Sequence, residues 1–378
     1  MELKTTKIWF LHALRGMAAL LVMIYHLAFL FWLANDKVTL SFSFLLPRIS
    51  INTLAYAPIH DFLTQYHFDL GAFGVALFFL ISGFVIPISL ERDQGVRFLI
   101  SRFFRIYPTY IIGFTLTFLA ILLYTQTRGV DFPYSIKNYL AQISLFRDWL
   151  WLPSIDGVSW TLETEIKFYL LVLVIASFKK LNSAKTIILM ALSLCFLNIV
   201  FSNYYDSLLN NNIRAYQIIY VITYSIVSLL FMLIGVAFYN FHFKKWSAPQ
   251  FWVVSVIVFL CFVAAFLNGP TPNLITMSAF TYIPALLVFT ATYILRDSFK
   301  YNKWINFLGD ISYPLYVIHG LNGYMLLTIL DRSSVNPYLS LAFTALIVIG
   351  ASYILHRLVE DPSNQLGKKL AGKFKVLV

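Results

Sequence analysis

The sequence predicts an all-α, polytopic membrane protein of about ten transmembrane helices with cytoplasmic N- and C-termini. Three observations predict it. The 378 residues are 60% hydrophobic and only 12% charged, where soluble domains run about 45–50% apolar and about a quarter charged. Mean hydropathy is +0.76. Apolar runs of roughly 20 residues, enough to cross about 30 Å of hydrocarbon, recur along the chain. Lysine and arginine gather on alternate connecting segments.

The runs cover about 9–33, 69–90, 106–125, 160–178, 184–202, 215–240, 251–267, 275–295, 306–330 and 337–357. With the N-terminus inside, inner segments hold nineteen of the 28 Lys and Arg, from Lys4 to Lys375. Outer segments hold seven: Lys37, Arg48, Arg128, Lys137, Arg147, Arg214 and Arg332. Such a bias is the positive-inside pattern. The net charge of +11 therefore reports topology and anionic lipid, and nucleic acid is not expected as a partner. MELKTTKIWF leads straight into the first run without a small-residue cleavage site, so that run reads as retained. No fixed-period repeat or low-complexity linker divides the chain. Residues 1–378 read as one transmembrane domain with no appended soluble domain.

The first run, Leu11–Leu33, carries Arg15 and His26 in LHALRGMAALLVMIYHLAFLFWL. Eleven residues at 100° each are three turns plus about 20°, so both side chains share a stripe roughly 16 Å long. A guanidinium and an imidazole on one face of a lipid-length helix are costly unless that face looks into protein or a watery cavity. The unperturbed pKa of an imidazole lies near physiological pH, so His26 is a candidate general base. The structural alternatives are a hydrogen bond to a neighbouring helix for His26 and snorkelling for Arg15.

The second run closes with FFLISGFVIP, where Ser82 and Gly83 permit close approach. Packing is the plainer reading of Ser82. Next comes RFLISRFFRIYP, with Tyr107 before Pro108. Arg102 and Arg105 at i and i+3 share a face, and planar guanidinium forks suit phosphate. An anchor in lipid headgroups is the plainer reading. The fourth run opens WTLETEIKFYL, beginning at Trp160. Glu163 and Lys167 at i and i+4 are expected to neutralise each other. Glu165 has no basic partner at helical spacing and needs one from another helix. A Glu165–His26 contact would make a base with its orienting carboxylate. The ninth run opens GDISYPLYVIHG, with Tyr313 and a second buried histidine, His319, for which core hydrogen bonding is the plainer role. His356 and Asp361, an H-x4-D pair, read as a chance match because Pro362 interrupts it.

Cys195 and Cys261 lie inside apolar runs, with no zinc spacing and no disulfide framework, so no metal site is expected. The outer loops 34–68 and 126–159 are the longest. Their polar and aromatic residues, His60 and Trp151 among them, read as interfacial anchors or as the cover of an outward-facing site.

LRGMAALLVMIYH, FFLISGF, RFFRIYP, W-T-L-x-x-E-x-x-F-Y, GDISYPLYVIHG and the closing VEDPSNQLGKKL together resemble the acyltransferase 3 family of integral membrane O-acyltransferases. The pieces run from residue 11 to 369 in family order. The resemblance implies an acyl-CoA donor, commonly acetyl-CoA, as a substrate, with no tightly bound cofactor. It implies a bacterial inner membrane enzyme acting on a cell-surface or lipid-linked glycan such as O-antigen or exopolysaccharide. The family's intramembrane histidine corresponds to His26, its arginine to Arg15, its R-x-x-R pair to Arg102 and Arg105, and its glutamate to Glu165. Glu163 and Lys167 depart from the small or neutral residues usual there. On this reading the CoA phosphates meet Arg102 and Arg105, with Tyr107 and Ser82 beside the donor. His26, oriented by Glu165, takes the proton of the attacking hydroxyl. Arg15, Ser82, Tyr107 and His319 are unranked candidates for the oxyanion donor; Trp160 and Tyr313 are further site candidates. With both cysteines in apolar runs, transfer is expected to be direct rather than through a cysteine acyl-enzyme. The alternative is a proton-coupled secondary transporter of a small solute or glycan, for which the same buried polar groups would line a path.

Overall fold

The computed structural model describes residues 7–34, 37–38, 41–42, 44–45, 54–177, 180–269 and 272–374. Lys4, Arg48, Lys179 and Lys375 of the charge count lie outside the described residues. The described chain is helical and contains no strand. In order the helices are α1 Trp9–Leu33, α2 Ala57–Gln65, α3 Leu70–Arg92, α4 Val96–Arg128, α5 Ile136–Ser144, α6 Trp160–Ser177 and α7 Ala184–Ser202. There follow α8 Tyr205–Asn211, α9 Ile213–His242, α10 Ala248–Leu267, α11 Pro272–Ile294, α12 Lys303–Ile318, α13 Gly320–Arg332 and α14 Pro337–Lys373.

Each predicted run falls on helix, but among the described residues seven helices rather than ten are long and apolar enough to cross a membrane: α1, α3, α4, α7, α9, α10 and α14. The physical reasons differ. Glu163, Glu165 and Lys167 put three charges into the 18 residues of α6. In α11, Pro272–Ile294, the side chains are described only from Thr281 onward, so the seven do not include it. The ninth run is interrupted at His319, which separates α12 from α13. A helix broken at membrane depth persists where protein or a cavity surrounds it, and His319 is fully buried.

The bundle is built around α3 and α9, whose apolar windows are 78% and 83% buried, against 22% for α7 and 28% for α14. Asp69 caps α3 by accepting from Ala72 N at 2.8 Å, and Asn212 caps α9 by accepting from Ala215 N at 3.1 Å, each satisfying an orphan amide. The two helices touch backbone to backbone. A Cβ on Gly83 would lie 2.0 Å from Met232 O, and one on Gly235 would lie 2.4 Å from Leu80 O. Only glycine fits this crossing.

Both described chain ends lie at one end of the bundle, which we call the terminal end. There Lys7 donates to Asn306 and Asp310, and Arg97 donates to the carbonyl of Phe374. At the opposite, long-loop end, Asp156 ties down the α5–α6 connection. Its carboxylate accepts from Tyr110 Oη at 3.0 Å, Val158 N at 3.1 Å and Ser159 N at 3.0 Å, and more distantly from Gln142 and Ser154, so this buried polar group is fully satisfied.

Candidate functional site

Two cavities open from the two ends. The terminal cavity has a volume of about 500 Å³, and its walls bring together Arg15, Ser82, Arg102, Arg105, Glu165 and Tyr313 from five helices. The loop cavity is larger, about 1180 Å³, and includes Tyr25, Asp69, Arg147, Trp151, Trp160 and Glu163. Val75 of α3 lines both.

In the terminal cavity, α4 carries the two arginines one turn apart. Arg105 is committed: its Nη1 lies 2.6 Å from Glu360 Oε1, and the Glu360 side chain is only 1% exposed. The other Glu360 oxygen lies 2.8 Å from His356 Nδ1. His356 to Glu360 form a π-helical turn within α14, the kind of irregularity that re-aims side chains at sites. Arg102 is different. Its guanidinium lies over the rings of Phe98 and Tyr169 at 5.5 and 5.6 Å, and its buried Nε has no hydrogen-bond partner among the described residues. Glu165 accepts from Ser82 Oγ at 3.0 Å and from Tyr169 Oη at 2.7 Å. Six Lys and Arg side chains line this cavity against four carboxylates, so its surplus of charge favours an anion.

The loop cavity is arranged otherwise. Arg147 grips Glu163 with Nε and Nη2 at 2.9 and 2.7 Å, the bidentate fork of a strong ion pair. Burial pulls the Arg147 pKa down, but the Glu163 hydrogen bonds and charge outweigh it and leave it raised. Lys167 pairs with Asp148 and donates to Ser225 Oγ at 3.0 Å. Aromatic rings fill the wall between: Trp160 stands edge-on to Tyr224 at 5.8 Å, and Trp151 to Tyr220 at 5.3 Å.

Two histidines line neither cavity but sit against residues of both. His26 lies in a π-helical turn, Tyr25–Leu30, inside α1. Its Nδ1 lies 2.8 Å from Tyr324 Oη, and its ring meets His319 edge-on, centroids 4.9 Å apart. On one side the pair touches Tyr25, at 5.6 Å from His26, which lines the loop cavity. On the other it touches Tyr316, at 5.8 Å from His319, which lines the terminal cavity.

A family model for an acyltransferase domain matches residues 8–357, nearly the whole chain. The chain belongs to the acyltransferase 3 family. No curated protein and no solved structure matches. Its apolar helices make this acyltransferase a multi-pass membrane protein.

Within the acyltransferase, the expected Glu165–His26 hydrogen bond is not made. Glu165 is held by Ser82 and Tyr169, and His26 by Tyr324. Ten spans would put both residues in the outer half of the bilayer, whereas the helix crossings put Glu165 on the terminal cavity. The expected Glu163–Lys167 pair is replaced by Glu163–Arg147 and Lys167–Asp148. Partners from the α5–α6 connection come closer than the i,i+4 neighbour. Tyr107 turns away from both cavities and donates to Ser144 O at 3.0 Å, while Tyr313 donates to Ile106 O at 2.8 Å from the terminal cavity wall. Trp160 belongs to the loop cavity. His356 pairs with Glu360 and not with Asp361; the i,i+4 spacing of a histidine and a glutamate at the end of an apolar run was the signal that Asp361 obscured. Lys7, His12 and Asp310, which also line the terminal cavity, carried no such signal, because they lie at two run starts far apart in sequence.

Proposed function

We propose that this acyltransferase moves an acyl group, acetyl in the simplest case, from acyl-CoA to a hydroxyl of a cell-surface or lipid-linked glycan in a bacterial inner membrane. The observation that carries the reading is the pair of unlike cavities with His26 and His319 between them. The cationic cavity suits the phosphates of CoA, Arg102 offering a guanidinium whose Nε has no partner among the described residues and Arg105 one held in place by Glu360. The aromatic cavity suits a sugar, whose apolar faces stack on rings while its hydroxyls meet polar side chains. Donor and acceptor then approach the histidines from opposite ends.

The hydroxyl oxygen attacks the thioester carbonyl and loses its proton to the histidine pair. The C–S bond then breaks, and the proton passes to the departing CoA sulfur. Arg15 lines the donor cavity together with Glu165 and Glu360, suited to the negative charge of the tetrahedral intermediate. Glu165, Ser82 and Tyr169 shape the donor cavity.

Membrane vesicles supplied with labelled acetyl-CoA, with and without surface glycan, test the reading. Glycan-dependent CoA release and labelled glycan are expected. Solute uptake without CoA release points to a transporter instead. His26→Ala is expected to express normally and lose transfer by at least the 10²–10⁴-fold range typical of acid–base groups; near-normal acetylation by that variant refutes the role.

A further inference from the structure

His319 is fully buried where the ninth run breaks. Its Nδ1 lies 3.0 Å from Leu315 O and 2.9 Å from Tyr316 O. Carbonyl oxygens only accept, so Nδ1 carries the hydrogen and the neutral ring has its lone pair on Nε2. That Nε2 is buried and has no hydrogen-bond partner among the described residues. Leaving a buried acceptor unpaired is costly, and native proteins rarely keep one without a use for it.

His26 is in the complementary state. Among the described residues Tyr324 Oη has one hydrogen-bond partner, His26 Nδ1. The phenol proton satisfies that nitrogen, and the His26 ring carries its own hydrogen on Nε2. A neutral imidazole in this tautomer is a donor there and not a base. Of the two rings, His319 holds the free lone pair.

We propose that His319 is a second catalytic residue of the transfer. Its Nε2 takes the proton from the acceptor hydroxyl, and the His26 Nε2 hydrogen faces the developing oxyanion. This assignment rests on the acyl-transfer reading above and divides labour within it. As the new C–O bond forms, the O–H bond breaks and its proton goes to His319 Nε2. As the C–S bond breaks, that proton goes to the CoA sulfur, and both rings return to their starting tautomers. The imidazolium formed in between is held by the Leu315 and Tyr316 carbonyls, which accept from its Nδ1 hydrogen. His319 is therefore no oxyanion donor in the neutral state, because its one hydrogen is already given to the backbone.

His319→Asn tests the assignment, since the asparagine amide can still donate to the same carbonyls but lacks the Nε2 lone pair. The variant is expected to keep the wild-type melting temperature and acyl-CoA KM while kcat falls about 10²–10⁴-fold. His26→Ala combined with His319→Asn is expected to lose little more than either alone, as groups acting as one unit do. Nitrogen NMR of histidine-labelled protein is expected to show His319 protonated on Nδ1 and bare on Nε2. A His319→Asn variant with wild-type kcat, or a protonated resting Nε2, overturns the inference while leaving the transfer reading intact. Wild-type vesicles that release no CoA in the presence of glycan defeat the transfer reading, and this assignment with it.

Discussion

The terminal and loop cavities are both rich in charged side chains, yet they use charge in opposite ways. Around the loop cavity, Arg147 is spent on Glu163 and Lys167 on Asp148, so the ion pairs brace the α5–α6 connection and leave aromatic rings as the binding surface. Around the terminal cavity the cations outnumber the carboxylates, and Arg102 keeps a buried nitrogen without a partner. Paired charge marks scaffold and surplus charge marks a pocket for an anion. Counting charged residues in sequence cannot separate the two, because the distinction lies in who meets whom.

The largest effect is expected where scaffold and pocket meet. Glu360→Gln keeps the shape but removes the charge that holds Arg105. Breaking a buried pair costs about 3–5 kcal/mol. The lower end applies here, since the Arg105 side chain is 29% exposed. A lower melting temperature is expected together with weaker acyl-CoA binding, and acyl-CoA protects the variant less than the wild type. An unchanged melting temperature would show that Arg105 belongs wholly to the pocket.

Arg102→Ala comes next, because it removes pocket charge without breaking an ion pair. Hydrogen bonds to charged groups are worth about 1.5–3 kcal/mol, so the acyl-CoA KM should rise about 10- to 100-fold with kcat and acceptor KM little changed. Steady-state kinetics in detergent or vesicles read all three. An acceptor KM that rose instead would reverse the assignment of the two cavities.

Much of this was legible in the sequence, and the residues show why. The apolar runs read as helices because lipid-length hydrophobicity leaves few alternatives. Arg15 and Glu165 stand out in sequence because polar groups at membrane depth need company, Arg102 and Arg105 because guanidinium forks suit phosphate, and Ser82 only through the family resemblance; all five line one cavity. Their pairing did not read out. Glu165 turned to Ser82 rather than His26, and Arg105 to Glu360, 255 positions away. Helical phase fixes which face a side chain occupies but not which helix crosses it. The crossing here depends on Gly83 against Gly235, a contact that two isolated glycines do not announce. Nor did the tautomer of His319 read out, since it follows from a ring turned back onto the Leu315 and Tyr316 carbonyls of its own helix.

The smallest expected effect is the one that sharpens the contrast most. Trp151 lines the loop cavity, is 40% exposed, and stands edge-on to Tyr220 and Tyr216. It takes no part in the ion pairs that brace the connection, so its removal should spare the fold. An aromatic contact is worth about 0.5–1.5 kcal/mol beyond area burial. Trp151→Ala should therefore raise the acceptor KM only about 2- to 10-fold while the acyl-CoA KM stays put. The independence of the two constants matters more than the size of the change. If both rise together, the loop cavity does not hold the acceptor apart from the donor, and the division between an anion pocket and a ring-lined sugar pocket fails. If the acceptor constant moves alone, the two substrates have separate doors, and the histidine pair is where they meet.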